Sequence, residues 1–243
     1  MGVGYCVSPL HRIIYLDTSA LHPQPWVKGQ SPALDSMGGP PPGTEVSDGP
    51  IRYRSPAQKD VVAWRERLAR KYRHELAERL RWDEGSSFEV SDDIGTHPDV
   101  MFRYVAAVLD QHGLSEVRGL VEVDDPPSHA LDAVFAEAER RGFGGRFPHL
   151  LLGASVWLPY RSALMIEEPN WDGHPARYGS VIHLLDEVTS VRSAISDAHP
   201  SVLHYSDSEA STPVLAAAWQ ASHTIARLAK MAVTRHLPLW ATG

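Results

Sequence analysis

The chain has almost no cysteine: one thiol, Cys6, in 243 residues. A lone thiol excludes an intramolecular disulfide and any zinc cage built on cysteine, and it suits a reducing compartment. Long hydrophobic runs are missing too. Nowhere do about twenty apolar residues follow one another, the length a membrane-spanning helix requires. The opening MGVGYCVSPLHR carries no basic leader before an apolar run, so no signal peptide is expected. Together these absences predict a soluble, cytoplasmic protein with no membrane partner. Positive charge is in deficit as well. A formal net charge of -7 repels phosphate backbones, so nucleic acid is not expected as a partner, whereas a basic protein would be attracted.

The usual catalytic signatures are also lacking. There is no G-x-x-x-x-G-K-[ST], no H-E-x-x-H and no H-x-x-E-H. GASVW offers Ser155 after Gly153, but Trp157 stands where a nucleophile elbow needs glycine, and Ser155 is expected inside a sheet. GFGGRF, from Gly142, lacks the third glycine of a dinucleotide loop and follows a helical pattern rather than a strand. Cys6 is read as a small apolar residue of a first strand, not as a nucleophile.

What the chain does have is enough apolar content, 43%, to bury a core at this length without covalent staples. Residues Val3 to Leu21 read as short strands, and His22 to Pro50 as a long Pro/Gly-rich loop in which neither helix nor central strand persists. Ser55 and Pro56 open a helix whose apolar side is Val61, Trp64, Leu68, Tyr72, Leu76 and Leu80. Its other side carries Arg65, Arg67, Arg70, Lys71 and Arg73, expected to be a solvated face. A second helix runs from about Thr96 to Gly113, a strand from Val117 to Val123, and a third helix from Asp125 to Gly142. PHLLLGASVWLP is expected to be a buried strand, with SALMIEE returning beside it as a hairpin and PNWDGHPARYG as loop. Ser180 caps a fourth helix, and Thr212 with Pro213 starts the last one. Trp26, Trp157 and Trp171 are expected to pack. The fold class expected is α/β or α+β: one domain over 1–243, a small mixed sheet flanked by four to five helices, with an irregular segment at 22–55.

Two groups of residues invite chemistry. RIIYLDTSALHP resembles the first strand of a PIN-type ribonuclease, which presents an aspartate, here Asp17, to a divalent metal. That resemblance implies Mg or Mn held by further carboxylates, for which Glu75 or Glu78 with Asp124 and Asp125 are the only matches. Separately, His183, Asp186 and Glu187 stand at i, i+3 and i+4, one helical face from which an ion could draw ligands. His199, His204, Asp207 and Glu209 cluster in a polar connection with no periodicity to aim them together.

The C-terminal part resembles a diffuse group of uncharacterised bacterial proteins. The pieces that match are Phe147, Pro148, His149 and Leu150; Leu158 and Pro159; then Gly179 and Ser180 ahead of Leu184 and Leu185. Small acidic members of that group resemble immunity or accessory proteins of toxin systems. The net acidity and the lack of a coherent catalytic constellation point to a non-enzymatic binding protein without a cofactor, immunity-like by analogy with that group; the alternative is a metal-dependent hydrolase or nuclease using Asp17.

Overall fold

Strand β1 (Gly4–Val7) sends Tyr5 and Val7 to one side of the sheet and Cys6 to the other, and that alternation sorts the two cores of the molecule. The computed structural model describes residues 3–13, 15–16, 53–76, 80–121, 123–200 and 213–242. The fold is α+β. Its main sheet holds β1, β4 (Val90–Asp93), β5 (Val156–Leu158), β6 (Ile166–Pro169), β7 (Pro175–Ser180) and β8 (Leu239–Thr242), in the order β4-β1-β8-β5-β7-β6. Every neighbouring pair is antiparallel except β5 with β7, so the sheet is mixed. A separate antiparallel pair joins β2 (Tyr15–Leu16) to β3 (Tyr53–Arg54).

Helices α2 (Thr96–His112), α6 (Val181–Ala198) and α7 (Val214–Arg235) cover the face that bears Tyr5, Val7, Trp157 and Leu239. Buried Ala216, Ala217, Ala218, Ala221, Ala229 and Ala232 on α7 let neighbouring helices approach closely. The opposite face, with Cys6, Val156, Leu158, Ile166, Tyr178 and Trp240, lies under α1 (Gln58–Lys71) and under Leu10, Leu76, Leu80 and Trp82. The shorter α3 (Leu114–Gly119), α4 (Ser128–Arg141) and α5 (Pro148–Leu151) complete the seven helices of the described residues. None of these is long and apolar enough to cross a membrane.

Several expectations hold: α1 buries Val61, Trp64 and Leu68, α2 and α4 end at Gly113 and Gly142, and the Ser180 hydroxyl accepts the His183 N–H. Others are corrected. Of the strand expected over Val117–Val123, residues 117–119 belong instead to helix α3 (Leu114–Gly119), because a short apolar run carries no period that separates a buried helix from a strand. PHLL is helix α5, and only Val156–Leu158 is strand. SALMIEE pairs with β7 rather than β5, so much of PNWDGHPARYG is itself a strand that begins at a proline. Helix α1 stops at Lys71, although Leu76 and Leu80 remain buried beyond it. Ser155 is exposed just ahead of β5, where its carbonyl accepts the Ala241 N–H. Residues 22–52, Trp26 and the Thr212 cap lie outside the described residues.

Candidate functional site

Asp17 lies outside the described residues, as do Glu78, His204, Asp207 and Glu209. The metal candidates of α6 are described, and they diverge. His183 Nε2–H donates to the Arg161 carbonyl at 2.8 Å, Asp186 is exposed, and Glu187 turns inward with 9% exposure. The shared helical face is real, but a buried demand for acceptors on α5 draws Glu187 away from the other two. Among the described residues, no group of three His, Cys, Asp or Glu side chains is placed to hold a metal ion.

His149 and Leu150 meet Ser180 and Glu187 at one buried junction of α5, β7 and α6, and Leu158 lies opposite Ser180 in the β5–β7 register. Pro148 opens α5, whose first N–H groups need partners from outside the helix. Glu187 supplies them: its two carboxylate oxygens accept from the His149 and Leu150 N–H groups at 3.2 and 2.8 Å. His149 is buried, its Nδ1 accepting the Ser180 N–H at 3.0 Å and its carbonyl accepting the Trp157 indole N–H at 2.7 Å. The Ser180 hydroxyl donates to the Tyr160 carbonyl. His183 stacks on the His149 ring, centroids 5.2 Å apart and planes 16° from parallel.

This geometry assigns the tautomer of His149. An Nδ1 that accepts a backbone N–H leaves the ring proton on Nε2, and that atom makes no well-formed hydrogen bond, although the Ala163 backbone is close enough to act on the ring. Burial, helped by His183, lowers the His149 pKa to about 4. At neutral pH the ring is therefore a neutral donor whose basic nitrogen is already occupied. Glu187 shifts the other way: burial raises it to about 8 against the two N–H bonds it accepts.

Gly179 sets how tightly the junction closes. A Cβ there would stand 2.4 Å from Trp157 Cδ1 and 3.2 Å from His149 Nδ1. Gly179→Ala is expected to destabilise the protein by about 1–3 kcal/mol through this overpacking. A denaturant midpoint unchanged by the substitution would show that Trp157 can yield.

Two more buried polar clusters are used within the fold. Tyr5 donates to Asp99 at 2.6 Å, Arg103 donates to the other Asp99 oxygen at 2.9 Å, and Arg103 also reaches the Tyr5 hydroxyl and the Leu150 carbonyl. Glu84, 3% exposed, accepts the Leu10 and His11 N–H groups and the Trp82 indole. Burial holds the Tyr5 hydroxyl well above its ordinary range, with Arg103 opposing and Asp99 reinforcing, so it stays protonated.

The face under α1 is aromatic. Trp64 touches Trp82, Trp171 and Tyr178, at centroid distances of 6.3, 5.5 and 5.0 Å, and its own indole donates to the Pro169 carbonyl. The basic side of α1 is only partly the solvated face expected of it. Arg65 lies over the Trp82 ring and donates to its carbonyl, and Lys71 pairs with Glu168, while Arg67 and Arg70 are exposed. Trp157, 0% exposed, packs as expected and stacks on Tyr5.

Neither a family model, nor a curated protein, nor a solved structure matches this chain. The residues above therefore stand on their geometry. Sequence reasoning missed Asp99 and Arg103, although an acid and a base four apart on one face of a helix is a legible signal. It also missed Glu84 and the aromatic hub at Trp64, whose members come from separate segments of the chain.

Proposed function

We propose that the protein acts by binding a partner protein, without catalysing a reaction, in the manner of an immunity or accessory protein. The observation that supports this is where the buried acids direct their oxygens. Asp99, Glu84 and Glu187 each place both oxygens on internal donors, and Asp110 takes the Arg141 guanidinium and the Arg146 N–H. Acid side chains so buried and so engaged hold the chain together. His149, with Nδ1 filled, is unable to serve as a base. The net charge of -7 favours a basic partner, reached by electrostatic steering.

The test is kinetic. Once a partner has been captured by crosslinking in the source cells, its association rate constant is expected to fall about tenfold or more between low and high salt. A rate indifferent to salt would sink the steering argument. A parallel thermal melt guards against the metal-dependent alternative. Manganese is expected to leave the melting temperature unchanged; a rise that disappears in Asp17→Asn would replace binding with a nuclease or hydrolase reading.

A further inference from the structure

Buried polar atoms in folded proteins are paired with few exceptions, and a group of exceptions in one place calls for a cause. Two of the orphans here, the Tyr178 hydroxyl and the Trp171 indole N–H, belong to side chains that pack on the same residue, Trp64. Tyr178 is 1% exposed, and its hydroxyl meets no protein hydrogen-bond partner. Both orphans are donors. Two acceptors of the cluster are already engaged: the Pro169 carbonyl takes the Trp64 indole, and Glu168 Oε1 takes the Tyr72 hydroxyl at 2.7 Å together with Lys71.

The surroundings are built rather than loose. Trp171 rides on the tight β6–β7 turn, in which the Asn170 side chain accepts from both the Asp172 and His174 N–H groups at 2.9 Å. Gly173 supplies the left-handed backbone that the turn needs. The Trp171 ring meets Trp64 in a T-shaped contact at 88°. On the α1 side, exposed Arg67 lies near enough for its charge to act on both Tyr178 and Glu168.

We propose that this cluster is a binding site for a carboxylate carried on a flat apolar body, its oxygens accepting from the Tyr178 hydroxyl and the Trp171 indole while Arg67 balances its charge. Trp64, against which Trp171 now packs at 88°, supplies the wall for the apolar body. A single negative charge suits the site better than a dianionic phosphate, because Glu168 repels the second charge. Entry requires the Trp171 indole to rotate off Trp64, since neither donor atom is open to solvent. The site is independent of the partner-binding reading above. The same carboxylate chemistry is offered by a small aromatic acid and by the C-terminal carboxylate of a peptide ending in an aromatic residue.

The experiment is a titration of protein labelled with nitrogen-15 at tryptophan, followed through the Trp171 indole N–H signal. The probes are phenylacetate, a peptide ending in phenylalanine, that peptide with its C-terminus amidated, and inorganic phosphate. A saturable downfield shift with phenylacetate places the site with small acids. A shift with the free peptide alone assigns it to a chain terminus. In either case the apparent affinity falls about tenfold or more in Tyr178→Phe and in Arg67→Gln. Tyr178→Phe is also expected to raise the melting temperature, because it removes an unpaired buried hydroxyl. No shift with either carboxylate, a shift with phosphate only, equal shifts with the amidated peptide, or a lowered melting temperature in Tyr178→Phe would each overturn the proposal.

Discussion

Asp99→Ala is expected to destabilise the protein by about 3–5 kcal/mol, the largest effect of any single polar substitution in the described core. The reason is the group left behind. Arg103 projects from the same helix one turn on, with its side chain 19% exposed, and it aims at Asp99, the Tyr5 hydroxyl and the Leu150 carbonyl together. Burial opposes its charge, yet Asp99 and Tyr5 outweigh that penalty and lift its pKa above the ordinary range. Removing the carboxylate leaves a guanidinium with its charge uncompensated and a tyrosine hydroxyl with no acceptor. Asp99→Asn keeps the shape and one acceptor, so it is expected to fall between wild type and Ala. The double variant Asp99→Leu with Arg103→Met removes both charges and is expected to recover most of the loss. Urea midpoints of the four proteins measure this; a double variant no better than Asp99→Ala would mean that the pair contributes packing rather than charge compensation.

The same cluster shows what was legible and what was not. Helix α1 could be read because Val61, Trp64 and Leu68 repeat at helical spacing, and the ends of α2 and α4 because Gly113 and Gly142 adopt positive φ where the pattern stops. Ser180 was readable as a cap because capping is local. Helix α5 was not, since the acceptors that let His149 and Leu150 leave an extended path come from Glu187, more than thirty residues away. Strand β7 was hidden by Pro175 and Gly179, residues that usually signal loop. Pro175 is tolerated as the first residue of the strand, and Gly179 is required by the approach of Trp157. Strand β8 is too short to carry a pattern, yet it sits between β1 and β5 in the middle of the sheet. For the site, the helix opened by Ser180 is there, but the spacing of His183, Asp186 and Glu187 on it did not give the direction in which each side chain is drawn. That direction depends on which distant backbone groups need partners. Asp17 remains an expectation from sequence alone.

Glu187 makes stability depend on pH in a window that can be separated from every other group at the junction. Its folded pKa of about 8 lies above the usual carboxylate value of 4.5, so the folded state keeps a proton that the unfolded chain has released. The contribution is fully present below about pH 4.5 and is lost as pH rises through about 8. His149 slopes the opposite way. Its folded pKa is depressed from 6.5 to about 4, so its contribution is complete above about pH 6.5 and fades as pH falls toward 4. The two offset each other in mildly acidic solution. Above about pH 6.5 Glu187 acts without that opposition, and stability is expected to fall by about 2 kcal/mol between about pH 6.5 and 8.5. Glu187→Gln has no proton to lose. Its amide oxygen accepts only one of the two N–H bonds from α5 and its NH2 faces the other donor, so it begins about 1–3 kcal/mol less stable at pH 6. It should then draw level with wild type as the solution becomes alkaline. Urea denaturation of both proteins across this range measures the difference in slope directly. Parallel curves would mean that the two backbone N–H bonds outweigh burial and hold Glu187 ionised throughout, in which case the junction carries a fixed negative charge at the start of α5.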